Sequence, residues 1–245
     1  MKSPVEYADY DFPIYGLDEC TGRCMYCVLN ADAVKRYAKR IRRIDVEKTL
    51  VRAERAARRG ARIIVSYLVD PYPPQEAYER RTRRLLSILA NGGPRGARIL
   101  VLTRNPGLAL RDADLMWRGK FWLGTTISCI PSTPLEEEEC GMLEDGVPSV
   151  TDRLDALARA KMMDIHTWLN VEPVHALTDI DAIIELTHSY VDAYVISPLT
   201  DPAGAEYIPP ENYGEAARRA AEKLRKLGKP YIIRGLGEPA FTWVA

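Results

Sequence analysis

Hydrophobic and polar positions along the chain switch repeatedly between a helical period and short β-rich runs. The apolar run Ile14–Leu17 predicts a first strand. Asp45–Arg59 predicts a helix with a leading acid and Gly60 as its stop. Ala61–Val69 is β-rich and predicts a strand ending at Asp70-Pro71, and Gln75–Ala90 predicts a helix closed by Asn91-Gly92-Gly93-Pro94. Ala97–Thr103 predicts a strand, Leu108–Trp117 a short helix and Phe121–Ser128 a further strand. Ser149-x-x-Asp152 caps a helix reaching about Lys161, and Thr178-x-x-Asp181 caps the next one. Ile165–Val171, Ala193–Ser197 and Pro230–Ile233 predict strands, with a helix from Glu211 to Leu227 stopped by Gly228. The long segment 130–148, with Glu136–Glu139 in a row, reads as an irregular, solvated acidic insertion.

Strands separated by helices predict an α/β fold of parallel βαβ units. Seven candidate strands fall short of a closed eightfold barrel. The 245 residues fit one domain, with a core over about 14–200 and residues 201–245 supplying a last helix and strand. No run of eighteen apolar residues predicts a membrane helix, and Met1–Tyr15 lacks the order of a signal peptide. The expected location is therefore cytoplasmic, where thiols stay reduced.

The formal net charge is zero but unevenly spread. Residues 35–62 carry twelve Lys/Arg against three Asp/Glu, and residues 131–192 carry three against fourteen. Lys35, Arg36, Lys39, Arg40, Arg42 and Arg43 are dense enough to neutralise several phosphates, which makes nucleic acid a candidate partner. A solvated basic helix face is the other reading. Gln75 is the single glutamine and Arg outnumbers Lys, a composition expected of a thermophile or of high-GC codon usage.

The chemistry centres on Cys20, Cys24 and Cys27, spaced C-x3-C-x2-C. Three thiolates on one loop can hold three corners of a cubane cluster and leave the fourth iron open for reaction. A structural zinc site is the alternative, but His166, His175 and His188 lie far along the chain. The motif resembles that of the radical S-adenosylmethionine (SAM) enzymes. The resemblance implies a partial, open (βα)6-type TIM barrel and a [4Fe-4S] cluster on Cys20, Cys24 and Cys27. It implies reductive cleavage of SAM to methionine and a 5′-deoxyadenosyl radical, fed by a reductant such as a ferredoxin or flavodoxin. Tyr26, before the third Cys, would sit beside the adenine.

In parallel barrels, chemistry collects where the strands end. Ser66-Tyr67-Leu68-Val69-Asp70-Pro71-Tyr72 follows the second strand in place of the family's glycine-rich stretch. It is similar to the version in relatives of spore photoproduct lyase, making Ser66 and Asp70 candidates for the SAM amino group. Asp70 is otherwise the start of a turn. Thr103 and Arg104 end the third strand, where a cation suits the SAM carboxylate. Thr125 and Ser128 end the fourth, with hydroxyls suited to ribose or carboxylate. On the fifth, His166, Trp168, Asn170 and Glu172 share one face and are expected in the lumen, with Asn170 and Glu172 toward adenosine and substrate. Ser197-Pro198-Leu199 ends the sixth.

Ser66–Tyr72, Leu102–Asn105, Phe121–Ser128 and Pro148–Met162 together resemble the spore photoproduct lyase-like, or DNA repair photolyase-like, branch over roughly residues 14–200. That branch carries a Cys hydrogen donor beside the second-strand Ser. Here Val65-Ser66-Tyr67 has none, which puts the thymine-dimer reaction in doubt. Tyr67, Cys129 or Cys140 is left as the substitute donor. A glycyl-radical activating enzyme and a non-enzymatic iron–sulfur or zinc module are the other classes, although the polar face of the fifth strand counts against a module.

Overall fold

The computed structural model describes residues 8–20, 22–27, 44–92, 99–131, 133–200, 207–236 and 240–241. The basic positions Lys35 to Arg43 lie outside the described residues. Seven parallel strands form a curled half-barrel: β1 (Tyr10–Asp11), β3 (Ile63–Val65), β4 (Ile99–Leu102), β5 (Trp122–Ile127), β7 (His166–Val174), β8 (Ala193–Thr200) and β10 (Tyr231–Ile233). The strands adjoin in that order. β11 (Ala240–Phe241) adds antiparallel to β10, and β9 (Tyr207–Ile208) pairs with β8. A separate two-residue ladder joins β2 (Arg23–Cys24) to β6 (Glu144–Asp145). The expected open, partial TIM barrel is present. No helix among the described residues is long and apolar enough to cross a membrane.

The helices are α1 (Val46–Arg58), α2 (Glu76–Glu79), α3 (Arg81–Gly92), α4 (Pro106–Ala109), α5 (Ala113–Gly119), α6 (Pro134–Leu143), α7 (Val150–Met162), α8 (Ile180–Thr187) and α9 (Tyr213–Lys226). Caps read from the sequence hold at α1, where Asp45 accepts the Lys48 N–H, and at α7, where Ser149 accepts the Asp152 N–H. At α8 the cap is Asp179, one residue later than expected, because the Thr178 hydroxyl is engaged elsewhere, accepting the His175 N–H and donating to the Ser128 carbonyl.

Other expectations need correction. Ile14–Leu17 is not a strand. The edge strand is β1, and Pro13, with no N–H, ends pairing there. Ile14 and Tyr15 are apolar because they are buried, not because they pair. The strand expected over Ala61–Val69 stops at Val65, where Ser66 turns the chain with φ 56°. The helix over Gln75–Ala90 breaks at left-handed Arg80, and Leu108–Trp117 divides into short pieces. The segment expected as an acidic loop contains α6. Thr133 caps it by accepting the Glu136 N–H, and Pro134 occupies its first turn. Cys129 and Cys140 are joined as a disulfide that ties α6 to the end of β5.

Strand alternation sorts the core into two layers. Ile63, Val65, Val101, Leu123, Ile127, Leu169, Val171 and Ile196 face the helices. Ile64, Leu100, Leu102, Trp168, Ala193, Val195 and Ile232 fill the inner face. Trp168 lies opposite Gly124 in the ladder, and a Cβ on Gly124 would come within 2.3 Å of the indole. Gly124→Ala is therefore expected to cost about 1–3 kcal/mol through overpacking. In urea unfolding, combining it with Trp168→Leu should cost less than the sum of the single changes.

Candidate active site

The cysteine loop lies at the carboxyl end of the half-barrel and is fixed by backbone bonds. The Cys20 N–H donates to the Leu17 carbonyl and the Cys27 N–H to the Cys24 carbonyl. Cys24 pairs with Glu144 across the β2–β6 ladder, and the Met25 N–H reaches the Leu143 carbonyl. The segment from α6 to β6 therefore clasps the loop. Burial raises the Cys20 and Cys24 thiols. The N–H groups of Asp70 and Gly22 oppose this at Cys20, and the Arg104 guanidinium opposes it at Cys24. Each favours a thiolate.

Glu144, which the sequence reading passed over, is the hub of this group. It is 5% exposed. Its carboxylate accepts from the Tyr26 hydroxyl, from Arg104 Nη1 at 2.5 Å, from Arg153 Nη2 and, at 3.4 Å, from the Ser128 hydroxyl. Arg153 is itself buried and anchored to the Thr126 carbonyl at 2.6 Å. The Arg104 guanidinium lies over the Tyr26 ring, 5.4 Å from its centre. Burial alone would raise the Glu144 carboxyl, but Arg104 and Arg153 outweigh it and hold the group at about 2.

Cys24, Tyr26, Arg104 and Ser128 are thus brought together as expected of a site. Other candidates are turned elsewhere. The Ser66 hydroxyl donates to the Val69 carbonyl within its own turn. Asp70 accepts from the Thr103 hydroxyl at 2.6 Å, the Arg104 N–H at 2.7 Å and the Tyr72 N–H at 2.8 Å. Ser66, Asp70 and Thr103 therefore brace the loops that carry Tyr67 and Arg104. Thr125 alternates with Leu123 and Ile127 on the outer face, so the inward hydroxyls are Thr126 on β5 and Ser128 just after it.

On β7 the polar set faces inward, with Leu169 and Val171 against the helices. Asn170 Nδ2 donates to Thr126 Oγ1 at 3.2 Å and to Glu172 Oε2 at 3.0 Å, and the Tyr67 hydroxyl donates to Glu172 Oε2 at 3.2 Å. Arg234, also missed in the sequence, reaches the Tyr67 hydroxyl. His175 follows β7. Its Nδ1 accepts the Leu177 N–H, so Nε2 carries the proton in the neutral ring. Burial lowers its pKa, partly offset by Glu144.

Among the described residues no three His, Cys, Asp or Glu side chains converge as the ligands of a single ion. The three sulfurs are expected around one common centre, and they do not converge on one in this way. A cubane binds each thiolate at a separate iron. Three thiols close enough to influence one another, with backbone N–H groups on Cys20 and a cation by Cys24, fit that donor set.

No family model and no curated protein matches the chain. Solved structures do. SuiB of Streptococcus suis bound to S-adenosylmethionine superposes with a TM-score of 0.62 at 12% identity over 94% of this chain and 51% of that one. The chain has the same fold. SuiB bound to its precursor peptide SuiA matches with a TM-score of 0.61 at 11% identity, over 92% and 48% of the two chains. Spore photoproduct lyase complexed with dinucleoside spore photoproduct matches with a TM-score of 0.56 at 13% identity, over 88% and 62%. The chain thus spans about half to three-fifths of the length of these proteins.

Two outcomes are expected for Glu144. Its folded-state pKa lies below the ordinary value of 4.5, so its contribution is present above that pH and is lost as pH falls toward 2. That contribution is on the order of 3 kcal/mol. Glu144→Gln should therefore be less stable than the parent at pH 6 in denaturant unfolding, and the deficit should shrink at pH 3.

Proposed function

We propose that the chain is a radical SAM enzyme. The observation that carries this is the placement of a three-cysteine loop at the open end of a parallel half-barrel, against the Tyr26–Arg104–Glu144 group. The shared fold with SuiB and spore photoproduct lyase, both solved with SAM bound, supports the class. Cys20, Cys24 and Cys27 would hold a [4Fe-4S] cluster with one open iron. When bound, that cluster supplies the electron that cleaves SAM to methionine and a 5′-deoxyadenosyl radical.

The remaining residues position SAM and substrate. Tyr26 offers a ring face to the adenine, with Arg104 fixing its orientation. Two guanidinium groups, Arg104 and Arg153, share the one Glu144 carboxylate, and the positive charge left over suits the SAM carboxylate. Ser128 adds a hydroxyl, and His175 a donor, at the same end. Asn170, Glu172 and Tyr67 form a second hydrogen-bonded set facing the substrate, in which Tyr67 is the proposed hydrogen-atom donor. A ferredoxin or flavodoxin would supply the electron. The two neighbours were solved with a peptide and a dinucleoside, so peptide and nucleic acid are the substrate classes to test first. A glycyl-radical activating role is a third.

With iron, sulfide and dithionite under anaerobic conditions, the protein is expected to release 5′-deoxyadenosine from SAM slowly even without substrate. Cys27→Ala should abolish release, and uptake of zinc with no iron would contradict the proposal. Arg104→Ala should weaken SAM binding about tenfold or more, as expected for loss of a charge-assisted contact of about 1.5–3 kcal/mol. Unchanged affinity removes Arg104 from the site.

A further inference from the structure

One acceptor in the set around Glu172, the Asn170 side-chain oxygen, is left without a donor. Glu172 only accepts, so the Asn170 amide nitrogen must face it, and that fixes the side chain the right way round. Its oxygen, Oδ1, is then buried with no hydrogen-bond partner, in a residue 2% exposed. An unsatisfied buried carbonyl is costly, and each such group calls for an explanation. Glu172 takes both of its described hydrogen bonds at Oε2, from Asn170 and Tyr67. Among the described residues, none of the hydrogen bonds reaches Oε1.

A third acceptor lies across the same face. Asp11 is paired with inward Ile64 in the β1–β3 ladder, so it too points inward. Its Oδ1 accepts the Tyr67 N–H at 3.2 Å. Burial raises its pKa to about 6, opposed by the N–H groups of Tyr67 and Ser66. Beneath these groups the inner face is apolar, built from Trp168, Leu102, Val195 and Ile232. Arg234 answers part of the negative charge from its place at the Tyr67 hydroxyl.

We infer that Asn170 Oδ1 and Glu172 receive a positively charged nitrogen of the substrate, an alkylammonium or alkylguanidinium group, with Asp11 adding negative charge across the lumen. An N–H donor completes the amide oxygen and the free side of the carboxylate together. Its positive charge is matched by Glu172 and Asp11, where a phosphate or carboxylate would be repelled. This inference deepens the function proposed above and rests on it only in calling the occupant a substrate, since binding needs neither cluster nor SAM.

The test uses the full chain and n-butylammonium and n-butylguanidinium as probes, with butyrate and 1-butanol as controls. The readout is the side-chain amide resonance of Asn170. Both cations are expected to shift it saturably, and Glu172→Gln to weaken that binding tenfold or more. Equal shifts from butyrate or 1-butanol overturn the inference, as does an affinity unchanged in Glu172→Gln. A chain that cleaves SAM but takes neither cation loses this inference and keeps its proposed function. A chain that binds the cations but releases no 5′-deoxyadenosine keeps the site and loses the proposed reaction.

Discussion

One buried carboxylate shared by two guanidinium groups holds the open end of the half-barrel together. Glu144 comes from the segment after α6, Arg104 from the end of β4, Arg153 from α7, and Tyr26 from the cysteine loop. Burying such charges is costly unless each is paired, and removing one partner strands the others. The four elements therefore keep their relative positions or lose the pairing together. The β2–β6 ladder adds backbone bonds to the same junction, so the cysteine loop is clasped by main chain and side chain at once.

This arrangement divides the inner surface into two polar sets. The one around Glu144 is rich in guanidinium and lies by the cysteines. The one around Glu172 is rich in acceptors and lies over the apolar floor. Among the described residues no hydrogen bond between side chains links the two. The separation suits a site that handles two ligands of different charge, one through its carboxylate and one through donor groups. The bracing by Asp70 serves both, since it fixes Thr103 and the Arg104 backbone beside the turn that carries Tyr67.

Much of this was legible in the sequence. The β7 alternation of Trp168, Asn170 and Glu172 against Leu169 and Val171 is a period-two pattern, and strand geometry enforces it. The cysteine spacing is local, so it survives any error in the fold around it. Glu144 was hidden because it follows four consecutive glutamates, and its two guanidinium partners lie 40 residues back and 9 ahead. Local composition reports solvation there and not pairing. Thr125 was misplaced because Thr125, Thr126 and Ser128 stand close together, although Thr125 alternates with Leu123 and Ile127 and so shares their outward face. Ile14–Leu17 misled because burial and strand pairing leave the same apolar mark.

In the function proposed above, SAM binds at the open iron of a cluster held by this loop, with the Arg104–Glu144–Tyr26 group against it. The most direct test is electron paramagnetic resonance of the anaerobically reconstituted, reduced protein, recorded before and after addition of SAM. A [4Fe-4S] signal whose g values shift on adding SAM is expected. A signal of that type left unmoved by saturating SAM would contradict the claim.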